Sequence, residues 1–160
     1  MRLSLLKNRP LSERLARLHS VSLFSTLDPR ELRIVAGFLH DRQYTKGEII
    51  FDEGEEGQAL YVVFSGEVTI WRPGHGETGH VASLGPDTFF GDLALLDAAP
   101  RAAQAVAASQ SHLGVFFRSD FQHLLETDAR AATKLYRQLA HILARRLREA
   151  VYGARGEQYL

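Results

Sequence analysis

Phe89-Phe90-Gly91-Asp92-Leu93-Ala94-Leu95-Leu96-Asp97-Ala98-Ala99-Pro100-Arg101-Ala102-Ala103-Gln104-Ala105-Val106 is the stretch on which the reading of this chain turns. A glycine opens a short helical turn, so backbone N–H groups converge with no side chain in the way, and an arginine follows ten residues later. That is the layout of an anion pocket. Gly91 lets the backbone approach a ligand closely. The turn from Asp92 offers N–H donors at the positive end of a helix dipole. The Arg101 guanidinium can fork onto a phosphate.

Around that stretch, from Arg42 to Phe117, short apolar segments alternate with glycines, the texture of a run of β-strands. The candidates are Ile49 to Phe51, Ala59 to Phe64, Val68 to Trp71, His80 to Leu84, Ala103 to Ala107 and His112 to Phe117. Gly47, Gly54, Gly57, Gly66, Gly74 and Gly76 supply turns, and Gly57 and Gly66 are costly to replace if they hold positive φ. Strands this short and this closely spaced predict a barrel or jelly roll.

Helices flank the strands. Asp28 is an N-cap with Pro29 at the first helical position and Glu31 three residues on, and Leu32, Val35, Ala36 and Leu39 follow at helical spacing until His40 and Asp41 mark the end. On the far side, Ser119 to Gln122 has the capping-box pattern of a short helix reaching about Glu126. Asp128 then caps a long helix, 128–152, whose Ala132, Leu135, Tyr136, Leu139, Ile142, Leu143, Leu147 and Ala150 form one apolar face. Residues 1–20, with Leu3, Leu5, Leu6, Leu11, Leu15 and Leu18 around Pro10, read as a leader helix packed on the domain or a partner. The domain proper is 21–152, and 153–160 reads as a flexible tail.

Composition narrows the function. The 160 residues hold one domain with a sizeable core, and Lys+Arg and Asp+Glu total 19 each, so no overall field draws the chain to nucleic acid and direct DNA binding is not expected. With no cysteine there are no disulfides, thiolate metal sites or cysteine nucleophiles. No apolar run approaches the roughly 20 residues that cross a bilayer, and no signal-peptide core is present, so a cytoplasmic chain without membrane contact is the expectation. No Gly-x-Ser-x-Gly or phosphate-loop lysine motif points to an enzyme.

The opening stretch resembles the phosphate-binding cassette of the cyclic nucleotide-binding domain family, whose pattern is Phe-Gly-Glu-Leu-Ala-Leu, a spacer, then Pro-Arg-Ala-Ala-Thr. Phe90, Gly91, Leu93, Ala94, Leu95, Pro100, Arg101, Ala102 and Ala103 match it. Lys46-Gly47-Glu48, Glu53-Gly54-Glu55-Glu56-Gly57, Leu60-Tyr61-Val62-Val63 and Ser65-Gly66-Glu67-Val68 resemble the family's successive strand and turn motifs, in order, so the likeness runs from about Leu23 to Glu149. Asp92 stands where the family has Glu, its ligand for the ribose 2′-hydroxyl, and Gln104 where it commonly has Thr or Ser.

The resemblance implies a mainly β chain with flanking helices: a jelly-roll, or double-stranded β-helix, barrel with N-terminal helices and a C-terminal helical lid that also pairs subunits. It implies a non-enzymatic sensor of a cyclic nucleotide, cAMP first because Ala102 puts no hydroxyl after Arg101, with cGMP, cyclic di-GMP or no ligand as alternatives. Phe90, Gly91, Asp92, Leu93, Ala94, Arg101, Ala102 and Gln104 are then the ligand-binding residues, with Leu143 or Arg146 reaching the base from the last helix. A homodimer through that helix, or an effector protein still to be identified, would take up the signal, because little chain follows the helix where family transcription factors carry a helix-turn-helix. Two other readings stay open. One is a degenerate domain that kept the fold and serves as a ligand-free interaction or dimerisation module, which Asp92 and Gln104 support. The other is a metal-dependent cupin enzyme using His75, Glu77 and His80, against which stands the missing His-x-His pair.

Overall fold

Asp28, Pro29 and Glu31 set the first anchor. In the computed structural model, which describes residues 11–153, the Asp28 side chain accepts from the Glu31 N–H at 2.8 Å and the Glu31 carboxylate accepts from the Asp28 N–H at 2.9 Å. The same Glu31 bond holds the Asp28 carboxyl below its ordinary pKa. Helix α1 (Leu11–His19) precedes this box and α2 (Pro29–Phe38) follows it. The part of the expected leader before Leu11, and the tail beyond Gly153, lie outside the described residues. What is described of the leader packs on the domain: Leu18 is fully buried, Arg14 pairs with Asp41 at 2.9 Å, and Arg17 donates to the Phe64 carbonyl.

Eight strands follow in two antiparallel sheets. They are β1 (His40–Tyr44), β2 (Ile49–Phe51), β3 (Ala59–Ser65), β4 (Val68–Trp71), β5 (His80–Leu84), β6 (Phe89–Phe90), β7 (Gln104–Ala107) and β8 (Ser111–Phe117). One sheet has the order β1-β8-β3-β6 and the other β2-β7-β4-β5, a jelly roll as expected. His40 and Asp41, expected to end α2, instead begin β1. Its sequence, His-Asp-Arg-Gln-Tyr, carries no apolar alternation because the strand lies at a sheet edge and is held by its backbone ladder to β8.

Strand β3 separates two cores. Leu60, Val62 and Phe64 face the helices and join Phe24, Val35, Phe116, Leu135 and Leu139 in the larger one, while Val63 turns into the barrel with Phe51, Val68, Phe90, Ala105 and Leu113. Gly66 holds positive φ as anticipated, whereas Gly57 does not. Space is the constraint at Gly57: an added Cβ would sit 3.1 Å from the Ala94 Cβ.

The closing helices are α3 (Arg118–Thr127) and α4 (Ala129–Tyr152). The capping box expected at Ser119 does not form, because α3 starts two residues earlier than that cap requires, at Arg118 after Phe117, with no side-chain cap. The first residue of α3 binds elsewhere. Arg118 donates to the carbonyls of Gly57, Ala94 and Asp97 at 2.7, 3.2 and 2.9 Å, tying α3 to the turn after β6. Asp128 caps α4 as its position predicts, accepting from the Ala131 N–H at 3.2 Å. Among the described residues no helix is long and apolar enough to cross a membrane.

Candidate functional site

Gly91 ends β6 in the left-handed region, with φ 72° and ψ 19°, and opens a 3-10 turn over Asp92–Leu95. Glycine is required there twice over. An L-residue is strained at that φ, and an added Cβ would lie 2.8 Å from the Arg101 Nη1. The first bond of the turn runs from the Ala94 N–H to the Gly91 carbonyl at 3.2 Å, so the N–H groups of Asp92 and Leu93 precede the ladder.

Arg101 enters from the far end of the same loop. Backbone bonds fix it: its N–H donates to the Glu55 carbonyl at 2.7 Å and its carbonyl accepts from Gly54 at 2.8 Å. The guanidinium then donates from Nη1 to the Gly91 carbonyl at 3.1 Å and from Nη2 to the Ala59 carbonyl at 2.7 Å. Its Cζ stands 4.1 Å from the centre of the Phe51 ring and 6.0 Å from that of Tyr61. Nε is buried and, among the described residues, has no acceptor. Burial lowers the Arg101 pKa, with Tyr61, Glu55 and Asp92 acting in the opposite sense. A cation held by neutral carbonyls, with one donor unmet, is a site that an anion completes.

Asp92, the first residue of the turn, is only 4% exposed, and both its carboxylate oxygens accept from the Arg146 Nη1, at 3.1 and 3.0 Å. Arg146 comes from the distal half of α4, and its Cζ lies 5.6 Å from the centre of the Phe89 ring. One ion pair thus joins the turn to the last helix across 54 positions of sequence.

Gly91, Asp92, Ala94, Arg101 and Arg146 are brought together in this way. Phe90 lies beneath them, stacked on Tyr61 with ring centres 5.1 Å apart and planes 9° from parallel. Leu93 belongs to the turn through its N–H, while its side chain stands at the surface. The remaining sequence candidates lie apart from this group. Ala102 is exposed. Gln104 lies on the face of β7 opposite the inward Ala105 and donates from Nε2 to Asp52 Oδ1 at 2.8 Å. Leu143 packs against the helical core. His80 stands 2.9 Å from the Ser83 hydroxyl, and no three His, Cys, Asp or Glu among the described residues are grouped to hold a metal ion.

Sequence reasoning missed Phe51 and the Ala59 carbonyl. Phe51 pairs in register with Ala105, four residues after Arg101, so a correct pairing of β2 with β7 is the signal that finds it. Nothing in the sequence marks a carbonyl as a ligand.

Comparison with known proteins gives a consistent result. Residues 41–128 match the family model described as cyclic nucleotide-binding domain. The cyclic AMP receptor protein of Thermus thermophilus is 41% identical over 130 residues, covering 80% of this chain and 58% of that protein. The crystal structure of the Thermus thermophilus catabolite activator protein superposes with a TM-score of 0.73 at 40% identity, covering 82% of this chain and 60% of that one. The regulatory domain of Toxoplasma gondii PKA, solved with cAMP, gives a TM-score of 0.66 at 31% identity over 79% of this chain and 49% of that one. The chain therefore spans about half to three-fifths of these three proteins.

Proposed function

Because the chain belongs to the cyclic nucleotide-binding domain family, we propose that it is a non-enzymatic sensor of a cyclic nucleotide, with cAMP as its ligand. The observation that carries this reading is the Arg101 guanidinium, bonded to two carbonyls and left with a buried, unmet Nε–H. A cyclic phosphate on Arg101 and the opening N–H groups of the turn would add charge-assisted hydrogen bonds, each contributing roughly 1.5–3 kcal/mol. Asp92 would accept from the ribose hydroxyl. Since Arg146 already holds Asp92, the ligand must share that carboxylate or displace the arginine, and either change is felt at α4.

The path outward is short. The turn is tied to α3 through Arg118, and α3 leads directly into α4, so inward movement of the segment 119–126 repositions the last helix. This is a shift between populations of an open and a closed form. A second copy of the chain along α4, or an effector protein, would read that shift in the cytoplasm, with no DNA or membrane contact by this domain itself. The family is regulatory rather than catalytic, in keeping with this role.

Calorimetry with cAMP, cGMP and cyclic di-GMP tests the reading. Wild type is expected to bind cAMP, and Arg101→Ala to bind it about 10- to 100-fold more weakly. Absence of binding by wild type to all of them would refute the sensor. It would favour the second reading, a ligand-free interaction module, which the existing Asp92–Arg146 pair and the Gln104–Asp52 bond support.

A further inference from the structure

The Arg101 guanidinium has a partner that no cassette motif contains. Phe51 presents its ring face 4.1 Å from Cζ, close enough for a cation–π contact. Phe51 is itself fixed: it is 8% exposed, with ring centres 5.7 Å from Tyr61 and 5.9 Å from Phe90. Tyr61 and Phe90 stack on each other behind it. The Tyr61 hydroxyl does not serve as a counter-anion, because burial pushes its pKa up even though Arg101 pulls it down.

A guanidinium has five N–H donors, all in its plane. The carbonyls of Gly91 and Ala59 take one from each terminal nitrogen, and an aromatic face takes none, so the plane is held without consuming an edge. Three donors, including Nε–H, remain for an anion. An aliphatic residue at 51 would fill the same space in the barrel core but leave the cation without a face to lie against. We propose that Phe51 is a positioning residue for Arg101: its ring fixes the guanidinium plane and offsets part of the cost of burying the charge, so that the free edge is ready for a phosphate. This inference rests on the phosphate-binding reading of Arg101 given above.

The test measures cAMP affinity of wild type, Phe51→Leu, Phe51→Met and Phe51→Tyr by calorimetry, with thermal melting of each. The two aliphatic variants are expected to bind about five- to tenfold more weakly. Phe51→Tyr, which keeps the face, should restore affinity to within about twofold of wild type. A residue that merely fills the core would show a different pattern, with affinity following melting temperature across all three variants whatever their aromaticity, and that result overturns the proposal. So does equal binding by wild type and whichever aliphatic variant folds. A wild type that binds no cyclic nucleotide refutes the phosphate reading itself and this inference with it. A binding wild type with an indifferent position 51 refutes the inference alone.

Discussion

The two halves of α4 are held in opposite ways. The proximal half is part of the core: Ala131, Ala132, Leu135, Leu139 and Ile142 are buried, Arg30 pairs with Asp128 at 3.1 Å, Lys134 with Glu31 at 2.5 Å, and Gln138 donates to the Ser22 carbonyl at 3.0 Å. In the distal half Leu147 and Val151 are 65% and 61% exposed, and the ion pair to the chain's body among the described residues is Arg146 with Asp92. One helix therefore has a buried stem and an exposed tip. Rigid attachment through apolar burial carries stability, while an ion pair whose arginine is 46% exposed can be released if another group takes its place on the carboxylate.

Breaking the stem gives the largest effect. Leu135→Ala removes a side chain that is 1% exposed and should destabilise the fold by about 3 kcal/mol in chemical denaturation, whereas Leu147→Ala at the tip should stay within about 0.5 kcal/mol. Next comes Lys134→Met, which leaves the Glu31 carboxylate buried without its cation and should cost roughly 2 kcal/mol by the same measurement. A change in cAMP affinity with intact tip exchange would show that the stem, too, takes part in sensing.

Arg146→Ala should cost less, about 1 kcal/mol, because the arginine is 46% exposed but its loss leaves the Asp92 carboxylate, 6% exposed, without that partner. It should also speed amide exchange over 143–152 and leave 131–142 unchanged. The smallest effect concerns the other helix fastened to the sheet. Burial raises the Asp41 pKa, but the hydrogen bond and charge of Arg14, and then those of His112, outweigh it and hold the carboxyl below its ordinary value. A carboxyl depressed in the folded state contributes stability above its unfolded pKa and loses it as pH falls through the folded one. Asp41→Asn should thus lower the melting temperature slightly at pH 7, where wild type holds this contribution, and flatten the decline below about pH 4, so that the two proteins converge in acid.

What the sequence disclosed follows physical range. Caps and glycines act over three or four residues, so Asp28 with Glu31, the Asp128 cap and the Gly91 turn were legible. Strands that read as apolar runs bounded by turn residues, such as Ala59 to Ser65, announced themselves. Strand β1 did not, because an edge strand needs only its backbone, and β6, two residues long, has no period to detect. Ser119 misled because Arg118 is drawn to the carbonyls of the turn, and the helix starts two residues earlier than a Ser119 cap requires. The site divided in the same manner. Gly91 and Arg101 are local in pattern, whereas the platform at Phe51 and the pairing of Asp92 with Arg146 depend on contacts between segments about 50 residues apart. Gln104 was named for its place in the family motif, and strand alternation puts it on the face of β7 opposite Ala105, bonded to Asp52.

Whether ligand at Arg101 is read by the tip of α4 and not by its stem is decided by amide hydrogen exchange of the full chain with and without cAMP. Protection is expected to change over the cassette turn and residues 143–152, with 131–142 exchanging alike in both conditions. Exchange that is the same everywhere at saturating cAMP, or that changes uniformly along α4, would contradict the division of the helix into stem and tip.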